Sequence, residues 1–148
     1  MNRSPISRID ILTSSGLPLF IYNLKTMKID EESLLSGDDQ LMLRSSLLVA
    51  ALQALQATGG ELYVAETKDE KFLFIQKDDI IVCFHITPDA DPYSEKIQLF
   101  ARALANAVIK IHDERNIDTS MVEVQEYLSG VGSIIEKIIS KLLDRIRF

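Results

Sequence analysis

A single cysteine, Cys83, leaves this chain without an internal disulfide and without the thiol cluster that a structural zinc site uses. A reducing compartment is the natural expectation, and the chain is read as cytoplasmic. Positive charge is scarce as well: 16 Lys and Arg stand against 22 Asp and Glu, a formal net charge of −6. No global positive field is available to release counterions from nucleic acid, so nucleic-acid binding is disfavoured. Long hydrophobic runs are missing, because charged or polar residues interrupt every apolar stretch far short of the ~20 residues a membrane-spanning helix needs. No membrane span is expected. The opening Met1-Asn2-Arg3-Ser4-Pro5 runs into Arg8 and Asp10 with no apolar segment between, so no secretion signal is expected either. There is no G-x-S-x-G, H-E-x-x-H, P-loop or calcium-loop pattern. The chain is therefore read as a non-enzyme with no cofactor and no metal.

What is present is ordinary globular material. The chain is 47% hydrophobic and 26% charged over 148 residues, enough for one domain, 1–148, that buries roughly two-thirds of its unfolded surface. Residues 8–13 and 17–24 are apolar and β-prone, with Ser14-Ser15-Gly16 as a turn between them, which predicts a hairpin. Residues 25–39 lose apolar periodicity and gather Asp30, Glu31, Glu32, Asp38 and Asp39, the composition of a solvated connection.

A helix is predicted to begin at Ser36, whose spacing to Asp39 is that of a capping box. Its buried stripe is predicted as Leu41, Leu48, Leu52 and Leu55, widened by Leu43, Leu47 and Ala51, with Gly59 as the left-handed cap. From 61 to 86 the period shortens to two in three runs: Leu62–Ala65, Phe72–Ile75 and Ile80–Phe84. Three antiparallel strands are predicted, the last apolar on both faces and hence central. Asp91-Pro92 predicts a helix start, followed by a face of Ile97, Phe100, Ala101, Leu104, Val108 and Ile111. Ser120-Met121-Val122-Glu123 reads as a second capping box, opening a long helix over 120–147. Its seam is Met121, Val124, Leu128, Val131, Ile135, Ile138 and Leu142, and Gly130 and Gly132 make 129–133 the place for a kink.

The resulting order, β-β-α-β-β-β-α-α, resembles the longin domain of the longin/roadblock, profilin-like superfamily. Ile11-Leu12-Thr13-Ser14-Ser15-Gly16-Leu17-Pro18-Leu19-Phe20 is similar to the opening hairpin of that family, and Thr58-Gly59-Gly60 stands at its transition from first helix to meander. The resemblance covers almost the whole chain. Roadblock domains place a helix before the first strand, whereas only Met1 to Ser7 precede the hairpin here. The resemblance implies an α+β fold with a five-stranded antiparallel sheet, order 2-1-5-4-3, one helix on one face and two on the other. It also implies a non-catalytic platform that forms homo- or heterodimers, here through edge strands 17–24 and 61–67. Such platforms bind or regulate Ras-like small GTPases in trafficking-type machinery. No site residue is implied. The alternative is a small-ligand sensor in the profilin or PAS style.

Three clusters carry chemistry to be weighed. Cys83 and His85 share a strand face, which suits a thiolate–imidazole pair or half a metal site, but a core cysteine and a hydrogen-bonded histidine explain them more simply. His112 near a helix end reads as a partner of the helix dipole. Asp78, Asp79, Asp89 and Asp91 could form paired carboxylates, though turns use Asp for its bonds to backbone N–H groups. Lys137, Lys141, Arg145 and Arg147 on the last helix suit peripheral contact with an anionic membrane. Glu136, Asp144 and a sheet face that needs cover favour packing or a protein neighbour.

Overall fold

The computed structural model describes residues 4–56 and 62–148. Among the described residues, six antiparallel strands form one mixed sheet-and-helix fold: β1 (Ile6–Thr13), β2 (Pro18–Asn23), β3 (Lys28–Ile29), β4 (Leu62–Glu66), β5 (Lys71–Lys77) and β6 (Ile80–Ile86), in the order β3-β2-β1-β6-β5-β4. The five long strands keep the expected arrangement, and the correction is a sixth, two-residue strand on the outside of β2. Asn23 starts it: its Oδ1 accepts the Lys25 N–H at 2.9 Å, Met27 takes a positive φ of 55°, and the chain doubles back to pair Ile29 with Tyr22. β3 and not residues 17–24 is therefore the sheet edge on that side, while β4 is the edge on the other.

Residues 25–39 are accordingly not a structureless connection. After β3, Asp30 accepts the Ser33 N–H at 3.2 Å and starts the short helix α1 (Glu31–Leu35), which buries Leu34 against Ile21 and Leu41. Ser36 closes α1 instead of opening the next helix. The Asp38 carboxylate accepts the Gln40 N–H at 2.9 Å, and α2 runs Asp39–Gln56. The cap expected at Gly59, with Thr58 and Gly60, lies outside the described residues.

The sheet is covered on both faces. On one, α2 sets Leu48, Val49 and Leu52 over Leu12, Phe72, Phe74, Ile81 and Cys83. On the other, α3 (Glu95–Glu114) and the C-terminal helical run cover Ile9, Ile11, Leu73, Val82 and Phe84. β6 lies mid-sheet with every residue buried, which is why its sequence is apolar on both sides. At the β1–β2 turn, Gly16 holds φ +94°, where a side chain would be strained and its Cβ would meet Ser46 Cα at 3.4 Å.

Both helix starts on this second face move. Ser94, not Asp91, caps α3 by accepting the Ile97 N–H at 3.2 Å; Asp91 instead turns the chain ahead of it, accepting from Tyr93 N–H at 2.9 Å. Ser120 is spent on Asp118, to which its hydroxyl donates at 2.6 Å, so α4 (Val124–Tyr127) begins later without a side-chain cap. The run then passes through a π-helical turn, Leu128–Gly132, into α5 (Ser133–Ile146). The glycines thus mark a widened turn and no break. A Cβ at Gly132 would meet Ile29 and Leu128 at 3.6 Å, an ordinary van der Waals contact, so space does not require glycine there. The most buried line is Tyr127, Val131, Ile135, Ile139 and Leu143, at i, i+4 spacing; of the expected seam, Val131 and Ile135 belong to it, and Val124, Leu128, Ile138 and Leu142 flank it, half-buried against the same core. Met121 lies outside it, 81% exposed. Among the described residues no helix is long and apolar enough to cross a membrane. The apolar side of α5 is spent on the core, leaving Lys137, Lys141 and Arg145 outward.

Candidate functional site

β1 and β6 are neighbours, and their register sets Arg8 beside His85 and Asp10 beside Cys83 on the α2 side of the sheet. Arg8 and Asp10 alternate with Ile9 and Ile11, so the polar pair faces one side while the isoleucines enter the opposite core. The Asp10 carboxylate is 1% exposed. It accepts from Arg8 Nε at 2.6 Å and Nη2 at 3.1 Å, and lies 3.2 Å from His85 Nε2. Burial pushes the Asp10 pKa up, but the His85 hydrogen bond and charge, with the charge and hydrogen bond of Arg8, outweigh it and hold the carboxyl below its ordinary value. Phe72 stands edge-on to His85, ring centroids 5.0 Å apart.

Over this triad lies an open groove of ≈ 320 Å³, into which Arg8, Lys25, Arg44 and Lys71 bring positive charge and Asp69 and Glu70 negative charge. Arg44 meets Glu70 at 3.2 Å as an exposed pair, and Lys71 donates to the Ala90 carbonyl at 2.8 Å. Arg8 and Arg44 also border an adjoining hollow of ≈ 290 Å³ with Asp30, Ser33, Asp38 and Gln40.

The clusters weighed from the sequence resolve differently. Cys83 is buried and its thiol is pushed well up by burial, with the nearby Asp10 charge adding to that, so it is a protonated core group. His85 shares its face, as expected, but its ring nitrogen is turned to Asp10. Asp78 sits in the β5–β6 turn at φ 53°, while Asp89 and Asp91 follow the far end of β6; one strand length separates the pairs, and turn formation accounts for them. Among the described residues no three His, Cys, Asp or Glu groups converge on a metal position. Asp10 and Arg8 escaped the sequence reading. Their signal was a charged pair at alternate positions inside an otherwise apolar strand.

His112 lies at the end of α3, where a dipole partner was expected, but it also makes a buried contact. It is buried in the last turn of α3, its Nε2 2.6 Å from the Tyr127 hydroxyl, and its buried Nδ1 has no hydrogen-bond partner among the described residues. Burial lowers its pKa, more than the neighbouring Asp113 raises it, so folding favours the neutral ring. The unfolded chain takes up this proton near the ordinary histidine value while the folded one resists it, so stability falls as pH drops below about 6.5. Tyr127→Phe removes this hydrogen bond from His112 and should cost about 1–3 kcal/mol. Urea unfolding at neutral pH measures this, and a variant as stable as the parent would show the bond to be incidental.

The outer side of α2 is the other feature that the fold leaves unexplained. Of its 18 residues only Asp39 and Arg44 are charged. Leu41, Leu48 and Leu52 are buried as expected, but Leu43 and Leu47 are 63% and 62% exposed, and Ala51 is exposed with them. These three were expected to widen the buried stripe. They lie instead, with Ala50 and Ala54, on the opposite face, because the sheet can cover only one side of a helix that is apolar on both. No family model matches this chain, and no curated protein matches it.

Proposed function

We propose that this protein is a non-catalytic interaction platform whose binding surface is the outer face of α2. The observation that carries the reading is the line Leu43, Leu47, Ala50 and Ala54, spaced at four, three and four residues and exposed throughout. Scattered surface leucines need no explanation, but an uncharged stripe along a helix marks a surface made to be covered. The longin resemblance supplies the finer reading: an adaptor or regulator of a Ras-like small GTPase, working as a homo- or heterodimer in the cytoplasm on trafficking-type machinery, with membranes approached only peripherally.

The test is direct binding. The immobilised chain, offered the small GTPases of its own cell, should retain at least one Ras-like member, recognised by its bound guanine nucleotide. Release of a fluorescent guanine nucleotide from that GTPase then separates a regulator from a passive scaffold. Retention of none of them removes the GTPase assignment. A small-ligand role is the second reading, favoured by one observation, the cationic groove above the Arg8–Asp10–His85 triad.

A further inference from the structure

We propose that this groove binds the phosphate monoester of a polar ligand, with Arg8, Lys25, Arg44 and Lys71 as the phosphate side and the Asp30–Asp38 hollow taking hydroxyl or amino groups of the ligand body. The inference is independent of the exposed leucine face of α2, although Arg44 of that helix borders the groove.

The first support is the way Arg8 is held. Burying Asp10 takes a charge out of water, and a buried ion pair does not on average repay that cost in stability. What the arrangement does provide is a guanidinium fixed in place: Asp10 engages Nε and Nη2 at 2.6 and 3.1 Å, while His85 at 3.2 Å steadies the carboxylate from the other strand. A guanidinium has five N–H groups, and Asp10 takes two. Those that remain belong to a partly exposed side chain at the groove wall. A fixed arginine with unspent donors is the element that reads planar or tetrahedral oxyanions.

The second support is the charge balance. In a chain of net charge −6, this groove gathers four cations against two surface carboxylates. The Arg44–Glu70 pair is exposed on both sides, 45% and 53%, so exchanging Glu70 for a ligand anion costs little. With the buried Asp10 behind Arg8 also counted, one cation is left over, and displacing Glu70 from Arg44 frees a second, which matches the charge of between minus one and minus two that a phosphate monoester carries at neutral pH. The adjoining hollow is opposite in character: Asp30, Ser33, Asp38 and Gln40 offer acceptors beside the same Arg8 and Arg44. Each Asp spends one oxygen on a backbone N–H, Asp30 on Ser33 and Asp38 on Gln40, and has a second to offer. A molecule with its phosphate on one side of the two arginines and hydroxyls on the other fits both lobes.

Calorimetric titration of the full chain with ribose 5-phosphate, and with ribose alone, tests this. Saturable binding of the phosphate ester and none of ribose is expected. Lys25 and Arg44 are exposed, so the Lys25→Ala/Arg44→Ala variant should fold normally, as circular dichroism would confirm. It should bind at least about tenfold more weakly. Lys110→Ala, an exposed charge on α3, should bind like the parent. Sedimentation with phosphatidylcholine vesicles, with and without phosphatidylinositol 4-phosphate, identifies the source. Capture that depends on the phosphoinositide and is lost in the double variant assigns a lipid headgroup. Titration with the sugar phosphate and no such capture assigns a soluble ester. Saturable binding of neither probe, or binding that the double variant retains in full, overturns the proposal.

Discussion

The Leu43→Glu/Leu47→Glu variant should keep the folding stability of the parent within about 0.5 kcal/mol and, on the proposal that the outer face of α2 is the binding surface, weaken partner binding at least about a hundredfold. Both parts follow from position. The two leucines are more than half exposed, on the side of α2 away from the sheet, and glutamate is as good a helix former as leucine. The buried line of Leu41, Leu48 and Leu52 is untouched. In a complex, however, the same two positions form the large half of the stripe. Carboxylates placed there would be taken out of water without a partner. Denaturant unfolding measures the first part, and titration against any GTPase that the chain retains, or the mass of the chain in solution if a second copy covers the face, measures the second. A variant that binds unchanged leaves α2 without a role in recognition, and one that unfolds shows the leucines to be core.

The misplaced leucines also show where sequence reading reaches its limit. Strands β4, β5 and β6 were legible because apolar and polar residues alternate between clear charged turns, and the two-sided run of β6 could belong only in the middle of the sheet. α3 was legible in its face because charge sits opposite it. α2 offers no such contrast: leucine and alanine occur all round it, so periodicity identifies a helix but cannot say which side the sheet covers. β3 is two residues long and begins with Lys28, which leaves no period to detect. Its cause is the Asn23 turn, a local hydrogen bond and not a pattern. The starts of α3 and α4 failed for a related reason. Asp91 and Ser120 are both able to cap, and both were drawn into turns by nearer partners.

The triad was less legible still. Arg8 and Asp10 could be seen as a charged pair within an apolar strand, and His85 as a polar interruption of another. Their meeting depends on β1 lying directly beside β6, in a register that sets Arg8 against His85 after a bulge between Ile6 and Arg8. A shift of one residue would turn Asp10 into the opposite core, among Ile9 and Ile11. That register is fixed by the burial of the isoleucines, so the polar site is a by-product of core packing that no local motif announces.

Asp10→Ala should destabilise the chain by about 3 kcal/mol at neutral pH, toward the low end of what breaking a buried ion pair costs, because Arg8 is partly exposed and can turn to water. The loss comes chiefly from His85, which remains between β1 and β6 beside Phe72 with no carboxylate to meet it. The pH dependence separates this from mere loss of packing. The Asp10 carboxyl is held below its ordinary value in the folded chain, so its contribution is complete above the unfolded value, near 4, and drains away as pH falls through the folded one. The parent should therefore lose stability steeply below about pH 4, whereas the variant, which has nothing to protonate there, should show a shallower acid limb. Asp10→Asn keeps the shape and an acceptor for Arg8 but not the charge; it should recover part of the stability without the steep limb. Urea unfolding at intervals between pH 7 and pH 3 would follow all three proteins. Parallel pH profiles for parent and alanine variant would mean that the Asp10 charge contributes nothing to the fold, and Arg8 would then lose the anchor on which its role in the groove depends.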